Sequence, residues 1–447
     1  MLLNPLPLIV FAATIFLVFK HPLVKIPFTS RHVYLDYGLA PVLGALVLVL
    51  TLTAGPDVVL RGIMGSDSLR PYSVLILIIS LSYICISLEY SGFFEYISLR
   101  VAGSARGSGR RLFLYIFLLT LVLTLFTDND IIILTMTFII LYIARNAGMN
   151  PMPFLFAQFF AVNIAGMALY IGNPTNIVVA DAAGISFAEY ARWMVIPSFV
   201  SAGACFVILF LLFRRMIPER LNETGAYSTA SIRDREGAAF GLFSLIVVIL
   251  IMSIPSGWTG LPVWFSPLLF AFIMFLRDAL RYRSGVRSVV SRVPWKIVPF
   301  LIGFFIIVET LVSTGWVSLL ASGIARLSGS MPGAVLGMCI VSSLLACVMN
   351  NHPMVILLVR GLQSSQLSAG SRLGASLAVI AGSNFGANLT LVGALAGIMW
   401  AGILSDRGQS LSFSTFSKYG FAVMIPVMLV ACLTLMLELA VSGVGAW

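Results

Sequence analysis

Apolar runs separated by short polar breaks follow one another along almost the whole chain. At 1.5 Å of rise per residue, a helix needs about 20 apolar residues to cross a bilayer core. Runs 4–20, 36–54, 72–99, 153–182 and 187–213 suit that role in the first half. In the second half 238–254, 263–280, 297–322, 373–404 and 416–441 do the same. Four shorter runs remain, 111–126 with 131–146 and 333–348 with 353–362. Each pair meets at a polar tetrad, Thr127-Asp128-Asn129-Asp130 in the first and Met349-Asn350-Asn351-His352 in the second. Amides and carboxylates at membrane depth must face protein, water or a solute. The pairs therefore predict two re-entrant hairpins that dip in and return.

Two long runs are expected to break. In Gly172-Asn173-Pro174-Thr175-Asn176, proline removes an amide donor and disfavours helix at Asn173, while Gly172 tolerates unusual backbone angles. Residues 382–390, Gly-Ser-Asn-Phe-Gly-Ala-Asn-Leu-Thr, predict a second break through two glycines and two asparagines, without a proline. Broken helices present amide-rich and carbonyl-rich ends to a ligand.

The halves match in order. Glu89–Phe93 answers Val312–Trp316, tetrad answers tetrad, Gly172–Val178 answers Gly386–Val392, and Ile185–Trp193 answers Leu411–Tyr419. The sequence reads as a first repeat over 1–216, a polar linker over 217–237 and a second repeat over 238–447. The expected fold is an all-α polytopic membrane protein: an inverted-repeat secondary transporter with about 10 transmembrane helices, two opposed re-entrant hairpins and two broken helices.

Composition supports this. Hydrophobic residues make up 60% of the 447 and charged residues 10%, where soluble domains carry about 25% charged residues. The net charge of +10 needs no nucleic-acid partner once its placement is considered. With five net crossings per half, only Arg61, Arg70, Arg192, Arg326, Arg360 and Arg372, 6 of the 27 Lys and Arg, fall on one side. Basic residues stay cytoplasmic. The expected location is the cell membrane, multi-pass, with both termini outside. Residues 4–20 lack a basic leader and a cleavage site, so they read as a retained span. The five cysteines lie in apolar runs without CxxC spacing, which suits inert thiols and no structural metal.

The chemistry gathers at the tips and breaks. Asp128, Asn129, Asp130, Asn173, Thr175, Asn176, Asn350, Asn351, Asn384, Asn388 and Thr390 are the candidate substrate and ion ligands. An unpaired carboxylate in a dry site takes up a proton or a cation, so Asp128 and Asp130 offer coupling to H+ or Na+. His352 and the deeper Glu309 are further proton-coupling candidates, with Glu89 and Asp181 ranked below them near helix ends. A coupling Na+ would lie near Asn129, Asn176, Asn350 and Thr390. No HExxH, GxSxG or Walker sequence occurs, so the chain reads as no enzyme, without a cofactor beyond the coupling ion.

The stretches SGFFEY (91–96), FTDNDIIILTMT (126–137), GNPTNIVVADAAGISFAEYARWMVIPS (172–198), VPWKIVPFLIG (293–303), MNNHPMVIL (349–357) and GSNFGANLTLVGALAGIMW (382–400) carry a family likeness. From about residue 30 to 441 the chain resembles the ion transporter superfamily, most closely its arsenical pump membrane protein (arsenite/antimonite permease) branch. The sodium/proton antiporter and citrate/dicarboxylate branches are more distant. The resemblance implies a scaffold and a transport domain, with ligand contacts at Asp128, Asn129, Asn173, Thr175, Asn176, Asn350, Asn351, Asn388 and Thr390. Three departures bear on the substrate: isoleucines after Asp130 where a glycine is common, His352 at an apolar position, and Leu391 where proline is usual.

The expected function is ion-coupled transport of a small anion or oxyanion-like solute, of the arsenite/antimonite efflux type, by exchange with protons. Na+-coupled citrate or dicarboxylate uptake and Na+/H+ antiport are the alternatives. The expected partners are the solute and the bilayer; a homodimer and an accessory ATPase are both compatible with the sequence.

Overall fold

The computed structural model describes residues 3–20, 22–25, 32–65, 69–221, 231–254, 258, 260–281, 285–409 and 411–444. Residues 222–230 of the expected linker lie outside them. Apart from a short antiparallel pair, β1 (Leu23–Lys25) and β2 (His32–Tyr34), the regular structure is helical. In the first half the helices are α1 (Leu6–Lys20), α2 (Leu39–Leu50), α3 (Pro56–Met64), α4 (Pro71–Tyr90) and α5 (Phe93–Gly103). They continue with α6 (Gly109–Leu125), α7 (Asn129–Ala147), α8 (Met152–Gly166), α9 (Pro174–Ala183) and α10 (Phe187–Phe213). The second half holds α11 (Arg235–Ser253), α12 (Phe265–Arg281), α13 (Gly285–Arg292), α14 (Ile297–Ser313) and α15 (Trp316–Leu327). After a π-helical turn at Gly333–Gly337 come α16 (Met338–Met349), α17 (Asn351–Ser364), α18 (Ala369–Leu389), α19 (Leu395–Asp406) and α20 (Phe413–Val441).

Each helix has a counterpart ten positions on, and the packing repeats with it. α6 packs on α8 as α16 does on α18, and α8 on α10 as α18 on α20. α7 reaches across to α19 as α17 does to α9. The outer layer is exchanged between halves: α1, α2 and α3 cover α14, while α11, α12 and α13 cover α4. The centre is sealed by α10 against α20 and by aromatic contacts such as Phe159 with Trp400, centroids 4.7 Å apart, and Phe156 with Tyr419 at 5.1 Å.

Local chemistry sets the boundaries. The expected single runs 72–99 and 297–322 are each two helices, because Gly92 (φ 84°) and Gly315 (φ 88°) turn the chain through the left-handed region where a side chain is strained. Both glycines were aligned by sequence, and the structure gives them the same job. Ser186 and Ser412 cap α10 and α20 in matching fashion, accepting from Glu189 N at 3.2 Å and Thr415 N at 3.1 Å.

Among the described residues, six helical stretches are long and apolar enough to cross a membrane: Pro71–Tyr90, Asn129–Ala147, Phe187–Phe213, Arg235–Ser253, Gly285–Ser313 and Phe413–Val441. The molecule is an all-α polytopic membrane protein. Asn129–Ala147 is the second arm of the first expected hairpin. It exceeds the apolar run 131–146 because Asp128 caps it, so shortness does not mark that arm.

The second break is displaced from expectation. Residues 382–389 remain helical within α18, and the interruption falls at 390–394. Gly382 and Gly386 are there for packing: a Cβ on either would overlap α16, at Ser342 and at Ala346. The first break covers 167–173 and contains a 3-10 turn at Tyr170–Gly172. Its true counterpart is 390–394: Gly172 sits on Gly166 as Gly393 sits on Gly386, and the capping residues Asn173 and Ala394 share an extended backbone. The sequence match of Gly172 with Gly386, in place of Gly393, is therefore about two helical turns out of register, misled by the shared Gly/Asn composition.

Candidate functional site

The tips form because polar side chains start the helices that follow them. Asp128 Oδ1 accepts from Asp130 N at 2.9 Å, and Asn350 Oδ1 accepts from His352 N at 3.3 Å, so both tips end in a capped α-helix. This pairs Asp128 with Asn350, Asn129 with Asn351, and Asp130 with His352. Asn350 itself has a φ of 71°.

The four polar elements converge. At the first tip Asn129 Nδ2 donates to Asn163 Oδ1 at 3.1 Å, and Asn163 Nδ2 donates to Asn388 Oδ1 at 2.7 Å. At the second tip Asn351 N donates to Gly393 O at 3.0 Å, and Asn350 Nδ2 to Val392 O at 3.4 Å, tying the tip to the second break. The two breaks bond to each other. Asn173 Nδ2 donates to Asn384 Oδ1 at 3.0 Å, Asn384 Nδ2 to Asn176 Oδ1 at 3.0 Å, and Ser383 Oγ to Thr175 Oγ1 at 2.8 Å. Asn176 Nδ2 then donates to Gly166 O at 2.7 Å, satisfying a carbonyl that the broken helix leaves open. Asn129, Asn163, Asn173, Thr175, Asn176, Asn350, Asn351, Asn384 and Asn388 are all buried, and Thr390 begins the second break.

Beside this network lies a cavity of about 680 Å³. Asp128 and Asp130 from the first tip, Pro174 from the first break and His352 from the second tip share its wall. Glu89, Arg292 and Lys296 line it as well; Arg292 pairs with Glu89 at 2.5 Å and Lys296 with Asp36 at 2.7 Å. Among the described residues, Asn129 Oδ1, Asn351 Oδ1 and His352 Nε2 are buried without a partner. Buried polar atoms rarely stay unsatisfied; of these residues His352 lines the cavity, and Asn129 and Asn351 are chain neighbours of its lining residues Asp128, Asp130 and His352. The His352 ring stands edge-on to Phe300, with centroids 5.6 Å apart.

Several expectations change. Glu309 does not line the cavity; it is buried in an ion pair with Arg360. Asp181, near the end of α9 opposite Pro174, accepts from Arg70 N at 3.2 Å. Of the four expected Na+ ligands, Asn176 Oδ1 and Asn350 Oδ1 accept internal bonds, while Asn129 Oδ1 and Thr390 Oγ1 are among the buried oxygens without a hydrogen-bond partner in the described residues. No group of three or more His, Cys, Asp or Glu is placed to hold a metal among the described residues. Sequence reasoning missed Asn163 and Gln158, whose signal was polarity in the otherwise apolar α8, and Ser383 beside Asn384.

Comparisons with known proteins agree with this architecture. At 28% identity over 367 residues, the chain is similar to the arsenical pump membrane protein of Escherichia coli K12, covering 81% of this chain and 85% of that one. A 46 kDa membrane protein of Mycobacterium leprae is 29% identical over 412 residues, covering 90% and 91%. In fold, the chain is similar to the YdaH transporter of Alcanivorax borkumensis, with a TM-score of 0.57 at 15% identity over 99% of this chain and 97% of that one. The family model described as CitMHS, citrate transporter, matches residues 15–381. That region holds both tips and the first break, and the chain belongs to the CitMHS citrate transporter family of membrane transport proteins.

Proposed function

We propose that this protein is a secondary transporter that expels trivalent arsenic or antimony, as the neutral hydroxide, in exchange for protons. The observation that carries the reading is the cavity shared by both tips, whose wall holds the carboxylates of Asp128 and Asp130. Its two basic lining residues, Arg292 and Lys296, are already held by Glu89 and Asp36. A neutral trihydroxide brings three O–H donors, which suit these carboxylates and the open amide oxygens of Asn129 and Asn351. A tricarboxylate would meet two acidic side chains instead. Protonating Asp128 or Asp130 turns an acceptor into a donor, so proton and solute binding oppose each other, as exchange requires. The arsenical pump relatives support the same solute class.

Most Lys and Arg residues fall on one predicted side of the chain, and Arg292 and Lys296 at the cavity are among them. We therefore assign the cavity mouth to the cytoplasm and both termini to the outside of the cell membrane. The test is everted vesicles containing the protein. An imposed pH gradient should drive arsenite or antimonite accumulation, and no movement of either solute would remove the reading. The family description names citrate, and the second reading is therefore citrate or dicarboxylate transport, with sodium as the coupling ion to be tested. Labelled citrate with and without sodium, in the same vesicles, separates the two.

A further inference from the structure

On the face opposite the cavity, a buried ion pair joins the outer layer to a hairpin arm. Glu309 of α14, 5% exposed, meets the Arg360 guanidinium of α17, 9% exposed. Arg61 of α3 approaches the other Glu309 oxygen at 3.9 Å. Arg360 Nη1 also donates to Gln363 Oε1 at 2.8 Å, and Gln363 Nε2 to Ala182 O at 3.1 Å, near the end of α9. One carboxylate thus ties α14 and α3 to the second hairpin and, through it, to the first broken helix. The cavity on this face is only about 190 Å³, with Val179, Val359 and Ser376 in its wall. It lies at the other ends of α9 and α17 from Pro174 and His352, which face the large cavity.

The repeat supplies a comparison within the same molecule. α13 is the counterpart of α3 and α4 of α14, and there Arg292 holds Glu89 at 2.5 Å. The tip register places Phe138 of α7 where Arg360 stands in α17. Phe138 lines the large cavity and contributes no charge to Glu89. One face therefore has an acid held by the scaffold and by the hairpin arm, and is tight. The other has an acid held by the scaffold alone, and is open.

We propose that Glu309 and Arg360 form the gate of the tight face: their pairing clamps α17 onto α14, and its release accompanies the movement that opens this face as the large cavity closes. This rests on the carrier reading of the chain and not on its solute. Removing one partner breaks the clamp and weakens the compensation of the other's buried charge, so either single substitution favours the state in which this face opens.

The test uses the full chain in sealed vesicles, with Ser376→Cys reporting the tight face and Ser82→Cys reporting the large cavity. A membrane-impermeant maleimide is applied to each face in turn, and labelling at the introduced cysteine is followed by mass spectrometry. Arg360→Gln and Glu309→Gln should each raise labelling at Ser376→Cys severalfold and lower it at Ser82→Cys. The exchanged pair Glu309→Arg with Arg360→Glu should return both rates toward those of the parent. Unchanged rates at both reporters overturn the gate, and so does a rise at both, which is the signature of a loosened fold. Because labelling needs no solute, failure of arsenite transport leaves this result readable.

Discussion

Asn173 Nδ2 donates to Asn384 Oδ1 across 3.0 Å, although the residues are 211 positions apart. The bond joins the last residue of one break to a residue still inside the helix before the other. The two breaks thus meet through residues that are not equivalent in the repeat. Asn384 is the hub, because its amide also donates to Asn176 Oδ1 at 3.0 Å and to Ile380 O at 2.9 Å.

Asn384→Ala should leave Asn173 Nδ2 and Asn176 Oδ1 without these partners in a dry interior. Each orphaned group costs about 1–3 kcal/mol. Thermal unfolding in detergent should show a clearly lowered midpoint together with lost transport. A parent-like midpoint would mean that water or a rearranged amide replaces the hub.

The tips separate binding from folding. Asn351 Oδ1 has no partner among the described residues, while its backbone bond to Gly393 survives truncation. Asn351→Ala should raise the transport KM about tenfold or more, the effect of losing roughly 1.4 kcal/mol of binding, with membrane-inserted protein unchanged on immunoblots. Asn129→Ala should abolish transport, again with insertion retained. Asn350→Ala should also destabilise the fold by about 1 kcal/mol, because it removes the cap of α17. Parent-like transport in both Asn129→Ala and Asn351→Ala would refute the tip assignment.

Coupling is assigned to Asp128 and Asp130. Their amide versions cannot exchange a proton, so Asp128→Asn or Asp130→Asn should flatten the pH dependence of solute exchange in proteoliposomes. If both profiles keep the parent shape, the coupling proton belongs to His352, the other titratable tip residue in the cavity.

Close backbone contact at the breaks can be tested with a methyl group. A Cβ at Gly172 would overlap Gly166 O, and one at Gly393 would overlap Gly386 O, whereas Gly203 has open space around it. Gly172→Ala and Gly393→Ala should each destabilise by about 1–3 kcal/mol and reduce transport. Gly203→Ala should do neither. Equal melting midpoints for all three would show that the breaks tolerate separation.

Much of this was legible in the sequence because polar residues within apolar runs have few places to go. That constraint exposed both tetrads, Asn173 and Asn176; the match of Gly92 with Gly315 was visible as a repeat, but the turns they make were not, because a glycine inside an apolar run does not by itself end it. It failed where composition imitated function. Gly386–Val392 looked like the mate of Gly172–Val178, but the glycines of α18 serve helix packing and the chain breaks only at Thr390. Glu309 looked like a relay because sequence alone does not bring Arg360 of α17 against it. Asn163 was overlooked because one amide in an apolar run has no spacing to read, and only its contacts with Asn129 and Asn388 reveal its part.

The exchanged outer layer has a consequence during synthesis. Tyr83 and Ser87 of α4 bond to Asp278 at 3.1 and 2.6 Å, across 195 and 191 positions of chain. At about 5–20 residues per second on the ribosome, these hydroxyls wait roughly 10–40 s for their carboxylate. Until then α4 lacks its cover, so the nascent N-terminal half must be chaperoned, by the insertion machinery or by lipid, before it can mature.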